Sequence, residues 1–199
     1  MGKQLGFYVN QQFCMGCKTC QIACKDKHDN EVGVNFTRVT EYSGGGFKKV
    51  GNGYQNDVWA YWTKAACNHC DNPKCVEACP TGAADKNAVD GTVSIDRSTC
   101  IGCKLCVKAC PYGAPQFSLQ KNKAGKCDLC ADYRAEGKEP ACAAACPIRA
   151  IEWGEVAVLK KRHPEAVRDV AGLPDSGITS PNTVYSLHRH AVAAAKRKK

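Results

Sequence analysis

The chain has 199 residues, enough for one domain or two small ones. Its 44% hydrophobic content is ordinary for a globular protein, whereas its sixteen cysteines are not. The formal net charge of +9 points first to nucleic acid or another anionic surface, but that sum counts every cysteine as neutral. No stretch approaches the roughly 18 apolar residues of a membrane span, which excludes a chain that crosses a bilayer on its own.

In chain order, the opening MGKQLGFYVNQQFC lacks the apolar core of a secretory signal. Synthesis and cofactor loading in a reducing cytoplasm are therefore expected, which counts against a disulfide framework. Next comes CMGCKTCQIAC, placing Cys14, Cys17, Cys20 and Cys24 in a C-x2-C-x2-C-x3-C run. Residues 25–66 form a long insertion, in which VNFTRVTEY and NDVWAYWT read as strands flanking the glycine-rich SGGGFKKVGNG, a β-hairpin or small sheet. Trp59, Tyr61 and Trp62 lie on the second of these strands and read as packing rather than as an electron conduit.

A second group follows at Cys67, Cys70, Cys75 and Cys79, and a third at Cys100, Cys103, Cys106 and Cys110, with DGTVSID between them as a short strand. The fourth group is Cys127, Cys130, Cys142 and Cys146. IRAIEWGEV then reads as a strand, and in VAVLKKRHPEAVRDV the proline Pro164 suits the first turn of a helix. The basic end, HRHAVAAAKRKK, reads as a solvated, frayed tail.

The third group continues into Pro111, completing the bacterial ferredoxin run. Groups two and four also end in x3-C-P, at Pro80 and Pro147, with longer gaps before their third cysteines. In this grammar three closely spaced cysteines on a tight loop cap one cubane. The fourth, three residues on and in a short helix, points away to ligate a second cluster. Each group is then half of a pair.

Only twenty residues separate Cys79 from Cys100, so the middle groups pair first: Cys67, Cys70, Cys75 and Cys110 on one cluster, Cys79, Cys100, Cys103 and Cys106 on the next. By elimination the outer groups pair across the chain, giving Cys14, Cys17, Cys20 and Cys146, and Cys24, Cys127, Cys130 and Cys142. The expected fold is α+β: two nested ferredoxin-like units with a β-hairpin insertion and a C-terminal helical tail. Residues 1–24 and 111–160 form the outer unit, 25–66 the insertion, 67–110 the inner unit and 161–199 the extension.

Zinc knuckles have no use for a third cysteine at x2 followed by x3-C-P. A radical-enzyme cluster would want C-x3-C-x2-C, but the residues three after each group's last cysteine are Lys27, Gly82, Gly113 and Arg149. Four 4Fe-4S clusters are the expected cofactors. With sixteen thiolates and cluster cores of about +2 each, the net charge falls to about +1, so the basic excess is mostly counter-charge.

His69, between Cys67 and Cys70, is placed to tune a cluster by hydrogen bonding, while His28, His163, His188 and His190 stand in polar surroundings without ligand spacing. No nucleophile motif, phosphate loop or nucleotide fingerprint accompanies the cysteines. The chain reads as a non-catalytic carrier of single electrons, defined by what touches its ends.

CMGCKTCQIACKD, ACNHCDNPKCVEACPTGA, CIGCKLCVKACPYGAPQF, and KCDLC with CAAACPIRA, together with the insertion, resemble the iron-sulfur B subunits of dimethyl sulfoxide reductases. The resemblance runs from LGFYVN through EYSGGG to SPNTVY. It implies two partners, a molybdenum-bis(pyranopterin) catalytic subunit and an integral membrane anchor that oxidises quinol. It also implies a peripheral place on the cytoplasmic membrane, on the periplasmic face after export with the catalytic subunit, the cytoplasmic face being the alternative. Related nitrate reductase subunits carry tryptophan at one group-three cysteine; Cys106 is present here, which implies four-iron clusters throughout. Other readings are the same role in a thiosulfate, tetrathionate, polysulfide or selenate reductase or a formate dehydrogenase, a freely diffusing polyferredoxin, or a zinc-knuckle nucleic-acid protein.

Overall fold

A computed structural model describes residues 3–196, with side chains through Val192. The first strand, β1 (Leu5–Asn10), is buried along nearly its whole length because it is the centre of a three-stranded sheet. The helix α1 (Thr19–Lys27) follows the first cysteine loop and carries Cys20 and Cys24 on its buried side.

Four strands come next: β2 (Arg38–Gly44), β3 (Phe47–Val50), β4 (Gly53–Asn56) and β5 (Trp59–Ala65). β2 and β5 pair antiparallel from Arg38 opposite Ala65 to Gly44 opposite Trp59, and β3 and β4 pair as an exposed hairpin between them. The insertion is thus two successive antiparallel ribbons. Trp59 and Tyr61 stack at 5.9 Å between ring centroids, and Tyr42 stacks on Tyr61 at 5.1 Å, so the aromatic residues of β5 pack on one another and on the neighbouring strand.

The middle of the molecule is built of short pieces: α2 (Lys74–Glu77), β6 (Ala84–Lys86), β7 (Val93–Ile95), α3 (Leu105–Ala109), β8 (Gln116–Ser118), β9 (Lys123–Gly125), α4 (Ala131–Ala135) and α5 (Ala141–Ala144). The expected strand in DGTVSID is β7, paired antiparallel with β6. Helices of four or five residues are marginal alone in water. Here packing against the cysteine-rich cores holds α2, α3 and α5, which bury Cys75, Cys106 and Cys142.

β10 (Ile151–Glu155) lies antiparallel to β1, and β11 (Thr183–Ser186) lies parallel to it on the other side. Between them α6 (Val156–Arg162) ends before Pro164, whereas the sequence placed a helix starting there. The cause is local: a proline disfavours helical backbone in the residue before it, and His163 leaves the helix at φ −126°, ψ 71°. Val156 and Leu159, buried, had already set the helix about two turns earlier.

The C-terminal extension is likewise not simply helical. It contains a short 3-10 turn (Ser176–Ile178), the strand β11, and then α7 (Arg189–Lys196), which lies within the segment read as frayed. Residues 197–199 lie outside the described residues. The fold is thus mixed α/β, with little regular structure in any one element.

Two apolar cores surround cysteines. The larger joins Leu5 and Phe7 of β1, Phe36, Leu129 and Ile151 with Cys20, Cys24, Cys67, Cys127, Cys142 and Cys146. The smaller joins Ala83, Val93 and Ala124 with Cys75, Cys100 and Cys106.

Candidate metal centre

The four cysteine groups share one local construction. The residue just before each second cysteine sits at positive φ: Gly16 (70°), His69 (44°), Gly102 (73°) and Leu129 (60°). The backbone must curl left-handed there to bring two thiols of a C-x2-C to one side. Each third cysteine lies on a short helix, Cys20 on α1, Cys75 on α2, Cys106 on α3 and Cys142 on α5. Gly16 is further constrained, because a Cβ there would sit 2.4 Å from the Trp62 indole that packs over the loop.

Cys14, Cys17, Cys20 and Cys146 line one cavity, together with Val39, Lys64 and Ile151. Cys79, Cys100, Cys103 and Cys106 line another, together with Ile95 and Ala124. The remaining eight gather in two further sets. Cys70 and Cys75 interact electrostatically with Cys67 and Cys110. Cys130 does so with Cys142 and Cys24, and Cys127 with Cys24 and Cys142. In each outer set, group one meets group four from the opposite end of the sequence.

All sixteen thiols are free, and eleven are buried, so disulfides account for none of them. Burial pushes Cys20, Cys75 and Cys130 up to about 12 and Cys127 well above its usual range. A thiolate is stable in such a place only with compensating positive charge, which iron supplies. Backbone amides already donate toward sulfur: His69 N to Cys67 Sγ at 3.4 Å, Leu129 N to Cys127 Sγ at 3.4 Å, Ala84 N to Cys79 Sγ at 3.3 Å and Ala150 N to Cys146 Sγ at 3.3 Å. Soft sulfur donors in sets of four, amide donors and apolar walls fit an iron-sulfur cluster.

The sets adjoin in order. The ammonium of Lys64 is close to Cys20 of the first set and to Cys24, Cys127 and Cys142 of the second. Cys127 lies close to Cys67 of the third, and Lys126 donates to both Cys67 Sγ, at 3.3 Å, and the Cys127 carbonyl, at 2.9 Å. Cys75 of the third set shares the smaller core with Cys79, Cys100 and Cys106 of the fourth. Cys17 and Cys103, the two exposed thiols, belong to the first and last sets in this order.

Three residues beside the thiols escaped sequence reasoning. His28, placed above in polar surroundings, has its Nε2 3.9 Å from Cys130 Sγ and 3.7 Å from Asp128 Oδ1, and burial lowers its pKa. Lys64 is fully buried beneath β5. Asn182, just before β11, donates its side-chain amide to the His69 carbonyl at 2.9 Å and accepts the Arg168 guanidinium at 3.2 Å, clamping the second cysteine loop from the far end of the sequence. The other histidines are corrected too. His163 stacks on Tyr8 at 3.6 Å, His190 on Trp59 at 4.8 Å and His188 on Tyr61 at 5.4 Å, so each packs on an aromatic ring, although His163 keeps a polar partner in Glu152, at 2.9 Å.

Residues 58–156 match the 4Fe-4S dicluster domain family, and residues 14–33 the 4Fe-4S binding domain family. The protein is 44% identical over 184 residues, 92% of its length and 89% of the relative's, to the B subunit of the anaerobic dimethyl sulfoxide reductase of Escherichia coli strain K12. It is 42% identical over 190 residues, 95% of its length and 92% of the relative's, to the corresponding subunit of Haemophilus influenzae. A more distant relative is the formate dehydrogenase-O iron-sulfur subunit of Escherichia coli, 34% identical over 88% of this protein and 64% of its own length.

Proposed function

We propose that this protein, which belongs to the family of B subunits of the anaerobic dimethyl sulfoxide reductases, carries four 4Fe-4S clusters and passes electrons singly through a larger complex. The ligand sets are Cys14, Cys17, Cys20 and Cys146; Cys24, Cys127, Cys130 and Cys142; Cys67, Cys70, Cys75 and Cys110; and Cys79, Cys100, Cys103 and Cys106. They form two nested ferredoxin-like units, residues 1–24 with 111–160 and residues 67–110, with 25–66 inserted and 161–199 appended. Bound clusters supply the reversible one-electron chemistry. The protein's part is to hold them in order, keep water from most of the sulfur and set the local charge.

The observation that carries this reading is the order in which the sets adjoin, first to fourth, with an exposed thiol in each terminal set. A row of neighbouring carriers with two open ends suits relay between two partners. Apolar side chains lie exposed beside both openings, Phe13 and Met15 at one and Ile101 and Leu105 at the other, as docking surfaces require.

The partners are a molybdenum-bis(pyranopterin) catalytic subunit, which performs the chemistry, and a membrane anchor that oxidises quinol. Dimethyl sulfoxide is the terminal acceptor. No described helix is long and apolar enough to cross a membrane. In this proposal the protein sits at the membrane through the anchor, on the periplasmic face after export with the catalytic subunit.

The test is to tag the protein in its native host, purify it anaerobically with whatever binds, and assay dimethyl sulfoxide reduction by a reduced dye. Recovery with a large molybdenum subunit and a hydrophobic anchor, with activity, supports the proposal. A complex inactive on the sulfoxide but active on thiosulfate or formate moves it to a sister complex. An iron-loaded protein recovered alone would sink it in favour of a diffusible carrier.

A further inference from the structure

Two lysines are buried to 5% exposure or less among the described residues, Lys126 and Lys64. The first is fully engaged, donating to Cys67 Sγ and to the carbonyls of Val93 and Cys127. The Lys64 ammonium, on a residue 1% exposed, has no hydrogen-bond partner among the described residues. Its Nζ stands 3.8 Å from the centroid of the Phe7 ring, which satisfies one face of the cation and leaves its N–H donors unmet.

A buried charge persists only where something compensates it. Lys64 makes no ion pair with a carboxylate among the described residues. The groups whose charge it feels most are all cysteines: Cys142, Cys127, Cys20 and Cys24. Cys20 belongs to the first ligand set, whose cavity Lys64 also lines, and the other three belong to the second. The position is fixed by β5, where Lys64 stands opposite Val39 in register and its two neighbours, Thr63 and Ala65, hold the strand against β2.

We propose that the Lys64 ammonium is a built-in counter-cation shared by the two outer clusters, donating N–H to their sulfurs and making both easier to reduce than beside a neutral side chain. The proposal rests on the four ligand sets given above. A cluster that accepts an electron gains one negative charge, and a fixed cation in a medium of low dielectric stabilises the reduced form. Burial removes the screening that weakens such an effect at a surface. The unmet donors and the cluster's negative charge answer each other: each would be costly alone in the interior, and together they are compatible. Lys64 is thus a tuning residue, acting on the potentials and not on any substrate.

The test is a redox titration followed by electron paramagnetic resonance, on the full-length protein purified anaerobically with its bound partners and with iron counted in the same samples. Lys64→Met keeps the stem and removes the charge; Lys64→Arg keeps the charge. The expected result for Lys64→Met is an unchanged iron content and a fall of at least tenfold in the one-electron reduction constant of two clusters, about 59 mV each. The other two clusters stay in place, and Lys64→Arg tracks the unsubstituted protein. Four unmoved midpoints at full iron content overturn the proposal. If Lys64→Met loads too little iron to titrate, Lys64→Gln is judged by the same criterion. An iron count short of four clusters in the unsubstituted protein overturns the ligand sets, and this proposal with them.

Discussion

His69 sits inside one cysteine loop and aims its ring at a thiol of another: its Nε2 lies 3.9 Å from Cys127 Sγ, while Nδ1 accepts the Val93 amide at 2.9 Å. The amide bond assigns the proton to Nε2, so the ring presents a donor to sulfur. Burial, reinforced by the charges of Lys126 and Arg134, keeps the imidazole neutral by lowering its pKa well below the usual value. His69→Phe should make the cluster bound by Cys127 harder to reduce. It should also strip the Val93 amide of its acceptor, at about 1–3 kcal/mol. A potential shift confined to that cluster, with a lowered melting temperature, is the expected pair of readings.

The proposed crossed ligation has its own signature. Cys24 lies ten residues from Cys14 in sequence, yet the thiol that weighs most on it is Cys142. Cys24→Ser should therefore alter the spectrum of the cluster held by Cys127, Cys130 and Cys142 and spare the one held by Cys14. Loss of the Cys14 cluster alone would refute the pairing.

Gly16→Ala places a methyl group 2.4 Å from the Trp62 ring, at a φ of 70°. Gly33→Ala carries a similar backbone penalty, at a φ of 89°, with nothing within 4 Å of the added carbon. The second change should cost about 1 kcal/mol. Gly16→Ala should cost more and reduce iron loading of the first set, measured by melting and by iron per protein. Equal losses in the two variants would mean that the indole yields freely.

Removal of iron should expose a ranking among the thiols. Cys17 is exposed, and its pKa is lowered, chiefly by the Thr19 hydroxyl donating to Sγ at 3.3 Å. Burial holds Cys20, Cys75 and Cys130 at about 12. In iron-free protein at about pH 8, where an ordinary thiol is near its pKa of about 8.5, iodoacetamide should modify Cys17 first and those three, with Cys127, last. Peptide mass mapping of a time course reads this directly, and uniform labelling would show that the protein unfolds when iron leaves.

Part of the site was legible because ligand chemistry forces spacing, a C-x2-C needing a left-handed residue before its second cysteine, whether Gly16 or His69. The helix was misplaced: it carries each third cysteine, and of the fourth cysteines only Cys24 lies within one, Cys79, Cys110 and Cys146 falling just past the helix ends. The outer strands of the insertion, β2 and β5, were legible from their aromatic and β-branched content, whereas β3 lies inside the segment read as a glycine-rich connection and β4 begins at its end. What stayed hidden depends on residues far apart in sequence. Asn182 reaches His69 across 113 residues, and His28 reaches Cys130 across 102. Lys64 looks like any strand lysine until Phe7 and four cysteines close around it. β11 escaped because four residues, TVYS, buried on both faces, show no alternation and pair in parallel with a strand at the opposite end of the sequence.

That last pairing bears on how the protein is made. β1 is the first strand synthesised, yet both of its neighbours, Ile151–Glu155 and Thr183–Ser186, come near the end. At roughly 5–20 residues per second, Leu5, Phe7 and Val9 emerge on the order of ten seconds before anything can cover them. The middle of the molecule can fold in that interval, but the central sheet waits for Thr183–Ser186. A product truncated before Ile151 therefore leaves Leu5, Phe7 and Val9 without the neighbours that bury them.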